Sequence, residues 1–84
     1  MDKNLKAVLE DTELSNEAKR VYQDMHKLYG YKKTFVTISD LVKMIHKNRK
    51  NTCDALEELE DAGYIRIQNF GQGKTRAYTV LKHL

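Results

Sequence analysis

The apolar positions change period once along the chain. From Leu5 to Leu59 they recur at helical spacing, and from Tyr64 onward they tend to alternate. Residues at i, i+3 and i+4 share one face of a helix, and alternate residues share one face of a strand. KNLKAVLE puts Leu5, Val8 and Leu9 at helical spacing, in a segment too short to hold as a helix alone in water. SNEAKRVYQDMHKLYG predicts the first long helix, with Ala18, Val21, Tyr22, Met25, Leu28 and Tyr29 as its apolar stripe. Ser15 is its N-cap, Glu17 suits its first turn, and Gly30 stands where a left-handed C-cap belongs. Leu14, just before the cap, is placed to pack back on the helix.

TFVT is β-prone and predicts a short strand. TISDLVKMIH then opens with Thr37-x-x-Asp40, a capping-box-like start, and carries Ile38, Leu41, Val42 and Ile45 as its stripe. RKNTCDALEELEDAG predicts a further helix capped by Asn48 and ended by Gly63, with Thr52, Ala55, Leu56 and Leu59 inward. YIRIQN sets Ile65 and Ile67 against Arg66 and Gln68. RAYTVL sets Tyr78 and Val80 against Arg76, Thr79 and Leu81, less cleanly. The glycine-rich FGQGKT between them predicts a β-hairpin.

Charge adds a second pattern. Residues 1–24 carry net −2, residues 25–53 net +6, residues 54–63 net −5 and residues 64–84 net +4. Two basic blocks flank an acidic one, and a fold that joins them makes a polyanion-binding face. NRKNTCDALEELEDAG is the sharpest case, with Arg49 and Lys50 in front and Asp54, Glu57, Glu58, Glu60 and Asp61 behind. A helix dipole favours the opposite order, so the helix's own physics does not account for it.

The order helix, short strand, helix, turn, helix, hairpin resembles a winged helix-turn-helix domain. The resemblance covers residues 14–84 and is most specific over TISDLVKMIHKNRKNTCDALEELEDAGYI, with Leu56, Leu59, Gly63, Tyr64 and Ile65 in the family's closing run. LSNEAKRVYQDM also looks like the first helix of regulators and replication initiators of Gram-positive bacteria and their plasmids or phages. Three positions depart from the family pattern. His46 replaces the usual turn glycine, Lys47 a usual apolar residue, and Val42 a usual small alanine.

The resemblance implies an α+β fold, a three-helix winged helix-turn-helix with a C-terminal hairpin wing, preceded by a short N-terminal amphipathic helix. It implies double-stranded DNA as the partner and a small transcriptional regulator, a repressor above all, as the function. The recognition helix 48–62 would enter the major groove and the wing 69–76 would meet backbone or minor groove. Arg49, Lys50 and Asn51 become the base-reading candidates, with Asn48 and Cys53 as further DNA contacts. Thr37, Ser39, Lys43 and Lys47 fall to phosphate, and the wing residues Gln72, Lys74, Thr75 and Arg76 to backbone or minor groove, Lys74 and Arg76 as phosphate contacts. An alternative class is a protein-interaction module or inhibitor working through the acidic face 54–61, and another is a plasmid or phage replication or partition DNA-binding protein.

Length bounds the rest. Eighty-four residues make one domain with a thin core, which favours oligomerisation. Residues 1–13 would be a separate N-terminal segment, and Leu5, Val8, Leu9, Leu81 and Leu84 would be spare apolar surface for a homodimer. With one cysteine, no apolar run of membrane length and no signal peptide at the N-terminus, a cytoplasmic protein without membrane partners is expected. No metal ligand spacing, cofactor motif or nucleophile–base pair is visible, so an enzyme is not expected. GQGK lacks the helix that a phosphate-binding loop needs. The five tyrosines invite single-strand stacking, but Tyr22 and Tyr78 read as core.

Overall fold

The computed structural model describes residues 2–45, 48–69 and 75–81. Its elements in chain order are α1 (Lys3–Glu10), α2 (Asn16–Tyr29), β1 (Thr34–Thr37), α3 (Ile38–Ile45), α4 (Arg49–Asp61), β2 (Ile65–Asn69) and β3 (Thr75–Val80). Four helices and a three-stranded antiparallel sheet of order β1-β3-β2 make a small α+β fold. The expected turn residues His46 and Lys47, the hairpin connection with Gln72 and Lys74, and Leu84 lie outside the described residues.

The helices start where their side chains can cap them. The Ser15 hydroxyl accepts from the Ala18 amide at 3.1 Å, and the Thr37 hydroxyl accepts from the Asp40 amide at 3.1 Å. The end of α4 is a Schellman turn, in which the Tyr64 amide donates to the Leu59 carbonyl and the Gly63 amide to the Glu60 carbonyl. Gly63 supplies the positive φ of 82° that this turn requires. Gly30 departs from expectation. Its φ is 62° but its ψ is −141°, so it ends α2 outside the left-handed helical region expected of it.

The core runs between the helices and the inner face of the sheet. Val21, Tyr22 and Met25 of α2, Leu41 of α3, and Ala55, Leu56 and Leu59 of α4 are buried together with Ile65, Tyr78 and Val80. The register sets Ile65 opposite Val80 and Ile67 opposite Tyr78, so the apolar positions of the hairpin fall on one face. β1 joins from the far side, with Thr34 opposite Tyr78 and Val36 opposite Arg76. Arg76 therefore shares the helix-facing side with Tyr78 and Val80. The expectation that set it against them fails on parity, because residues two apart in a strand point the same way.

The N-terminal segment behaves differently from the expected spare arm. Val8 is fully buried in the common core and Leu5 packs against that core, so α1 covers α2 within its own chain. Two carboxylates hold its ends. Asp2 caps α1 by accepting from the Asn4 and Leu5 amides, and also accepts from the Tyr31 hydroxyl at 2.7 Å. Asp11, at the other end, accepts from the Tyr64 hydroxyl at 2.6 Å. The His26 ring lies against Tyr31 and Tyr22 at 5.2 and 6.2 Å, with its Nε2 3.8 Å from Asp2. Among the described residues no helix is long and apolar enough to cross a membrane.

These bonds favour the charged carboxylates. The Tyr31 hydroxyl, helped by the two amides, lowers the Asp2 pKa from 3.8 to about 2. The Tyr64 hydroxyl, with the Glu13 amide, lowers that of Asp11. A depressed carboxylate pKa contributes stability that is complete above the unfolded value and lost as pH falls through the folded one. The contribution of Asp2 should thus be intact above 3.8 and fade toward about 2. Thermal melts across that window should show wild type and Asp2→Asn converging as pH falls. A constant gap between them would refute the linkage.

Candidate nucleic-acid interface

The first turn of α4 is built to stay in solvent. The Asn48 side chain accepts from the Lys50 and Asn51 amides at 2.9 and 3.2 Å, which starts the helix without burying anything. Asn48, Arg49, Lys50 and Asn51 are all exposed. Thr52, Ala55, Leu56 and Leu59 turn inward and fix the helix's rotation. With 3.6 residues per turn, the stripe opposite this buried face is Lys50, Asp54, Glu57 and Asp61, one cation followed by three acids. Asn48 already caps the Lys50 and Asn51 amides at this end, so positive potential at the tip comes from Arg49 and Lys50 more than from those backbone donors.

The flanks of α4 differ. On one side Asn51, Asp54 and Glu58 line a hollow of about 260 Å³ with Ser15 and Glu17 at the start of α2. There Glu58 accepts from both the backbone amide and the hydroxyl of Ser15, at 3.0 and 2.7 Å. This is the reciprocal bond of a capping box, with the carboxylate supplied from another helix. On the other side Cys53, Leu56, Glu57, Glu60 and Asp61 face Ile67, Asn69 and Arg76 of the hairpin across a groove of about 360 Å³. Burial raises the pKa of the Tyr78 phenol beside it, and the Arg76 charge opposes that rise.

The sequence-based candidates therefore separate. Arg49 and Lys50 share the exposed tip with Asn48, and Asn51 leans toward α2. Cys53 is exposed but belongs to the groove, as does half-buried Arg76. Thr75 is exposed and pairs in register with Thr37, which brings those two candidates together where α3 begins. The Thr37 hydroxyl is engaged in capping α3. Ser39 and Lys43 are exposed one turn apart on α3. Lys47, Gln72 and Lys74 lie outside the described residues.

Sequence reasoning missed Asn69, Ile67, Glu57 and Glu60 as neighbours of Arg76. Strict counting of strand parity from Tyr78 would have found the first two. No protein-family model matches this chain, and no curated protein matches it either.

The cap and the charges of the tip are separable. Asn48→Ala should cost about 1 kcal/mol of folding stability by removing an N-cap. Arg49→Ala, at an exposed position, should stay within about 0.5 kcal/mol of wild type. Urea unfolding of the two variants measures the contrast. Equal losses would mean that Arg49 has a structural role.

Proposed function

We propose that this protein is a small sequence-specific regulator of double-stranded DNA, with α3 and α4 acting as a helix-turn-helix and β2–β3 as a wing. The observation that carries the reading is the α4 tip, where Arg49 and Lys50 stand exposed ahead of a buried helix face. Arg pairs bidentately with guanine acceptors, and lysine serves the same acceptors or phosphate. The acids behind them shape the pose. Asp54, Glu57 and Asp61 on the outward stripe disfavour laying the whole helix in the groove, so the tip enters and the rest leans away. Thr37, Ser39, Lys43 and Thr75 supply exposed or edge donors for the backbone beside it.

Arg49→Ala and Lys50→Ala should each weaken binding to a selected duplex, by roughly 1–3 kcal/mol where the contact is a bidentate base pair. Binding by the wild type should fall steeply with salt, because neutralised phosphates release counterions. Fluorescence anisotropy over a salt series tests both. Wild-type affinity in both variants would remove the tip assignment. A flat salt response would overturn DNA binding and shift the reading to a protein partner for the acidic face 54–61.

A single tip reads few base pairs, so the reading extends to a homodimer on two half-sites. With Val8 and Leu5 taken up by the chain's own core, the apolar surface for it moves. Leu28 and Met44 are exposed side by side in a hollow with Asp24, Lys27 and Ile45. A two-fold partner placed there stacks apolar on apolar and sets Asp24 against the partner's Lys27. Sedimentation equilibrium should give a dimer that Leu28→Asp with Met44→Asp dissociates. A dimer untouched by the double variant would place the interface elsewhere, and a wild-type monomer would remove it.

A further inference from the structure

The groove between α4 and the hairpin is polarised along its length. After Gly63 the chain reverses, and β2 runs back beside α4. A strand advances about 3.3 Å per residue and a helix about 1.5 Å. Ile67 therefore lies farther from Gly63 than Ile65 does, and Asn69 farther still, toward the end of the groove that Cys53 lines. Arg76 is the register partner of Asn69 and so stands at the same end. The opposite end, toward Gly63, holds Glu60 and Asp61, with Glu57 between. Leu56 and Ile67 supply the apolar part of the walls. From Cys53 to Asp61 the helix rises about 12 Å.

A guanidinium and an amide at one end, apolar walls in the middle and carboxylates at the other define a complementary molecule. We infer that this groove binds an extended aliphatic chain carrying a carboxylate at one end and an ammonium at the other, the class of ω-amino acids and lysine-like side chains. The carboxylate meets Arg76, whose planar fork matches carboxylate geometry, and Asn69 donates beside it. The methylenes cover Leu56 and Ile67, as the stem of a long cationic side chain covers apolar surface. The ammonium sits among Glu57, Glu60 and Asp61. A volume of about 360 Å³ lies within the range of small-molecule sites. The inference concerns the flank of α4 and does not depend on DNA binding at its tip.

The test uses ε-aminocaproate as the probe, with caproate and hexylamine as controls that each lack one charge. Amide resonances of Cys53, Glu60, Ile67 and Asn69 are followed during titration at neutral pH. The expected result is saturable shifts with ε-aminocaproate and binding at least about tenfold weaker for both controls. Arg76→Met, which keeps the stem, should reduce ε-aminocaproate to the level of hexylamine and leave hexylamine unchanged. Glu60→Gln with Asp61→Asn, at exposed positions, should reduce it to the level of caproate. Hexylamine binding as tightly as ε-aminocaproate would overturn the inference, because it would mean a cation resting on an acidic surface. Absence of groove shifts with all three compounds would overturn it as well.

Discussion

Everything at the tip of α4 depends on how the other half of that helix is held. Asn48, Arg49, Lys50 and Asn51 are exposed and only Thr52 of the first turn reaches the interior, so the direction of the tip is set mainly from behind. The five-residue connection between α1 and α2 does this with two contacts, one at Ser15 and one at Asp11. Ser15 grips Glu58 within α4, and Asp11 grips Tyr64 just past its end. Between those points Leu56 and Leu59 are buried. One connection thus ties the far half of the helix, whose rotation its buried face sets, to the start of the hairpin that returns beside it. In a domain with so little core, two contacts bridging 43 and 53 residues of chain constrain the arrangement more than their individual strength implies.

These bonds, with that of Asp2 to Tyr31, give three acidic residues structural work. Glu58 lies within the acidic run 54–61, yet it completes the cap of a different helix. Asp11 and Asp2 pair with tyrosines, and the Tyr64 hydroxyl is in turn held protonated, its pKa raised to about 12 by the bond to Asp11 and by burial. The remaining acids, Asp54, Glu57, Glu60 and Asp61, stay exposed. The sharp charge division of α4 is therefore composed of one anchoring carboxylate and four that shape what can approach the helix.

Local chemistry was legible in the residues. Ser15, Thr37 and Asn48 cap the helices they were expected to cap, and Thr52, Ala55, Leu56 and Leu59 form the inner face that periodicity marked. The helices and the hairpin strands appear in the expected order. What was not legible was long-range. Periodicity says that Val8 is apolar on one face but not whose core takes it, so α1 read as a free arm. The partner of Glu58 lies 43 residues away, and no local pattern announces it. The position of Arg76 was legible in principle, since its parity follows from Tyr78, but its positive charge drew it toward the solvent side. The groove needs α4 and the hairpin together, so it appears only in three dimensions.

The strand order bears on how the chain assembles. β3 lies in the middle of the sheet, although it is the last strand to be made. Among the described residues β1 has no strand neighbour but β3, and its Thr34 must wait for Tyr78, more than forty residues later. The helices can gather while the chain is still growing, and the hairpin can close locally, but β1 has nothing to pair with until β3 emerges. Closure of such a distant pairing carries an entropic cost before it returns any contact. A nascent chain truncated before β3 would keep its four helical segments and hold both other strands unpaired, with the backbone donors and acceptors of TFVT and IRIQN open to any strand in reach.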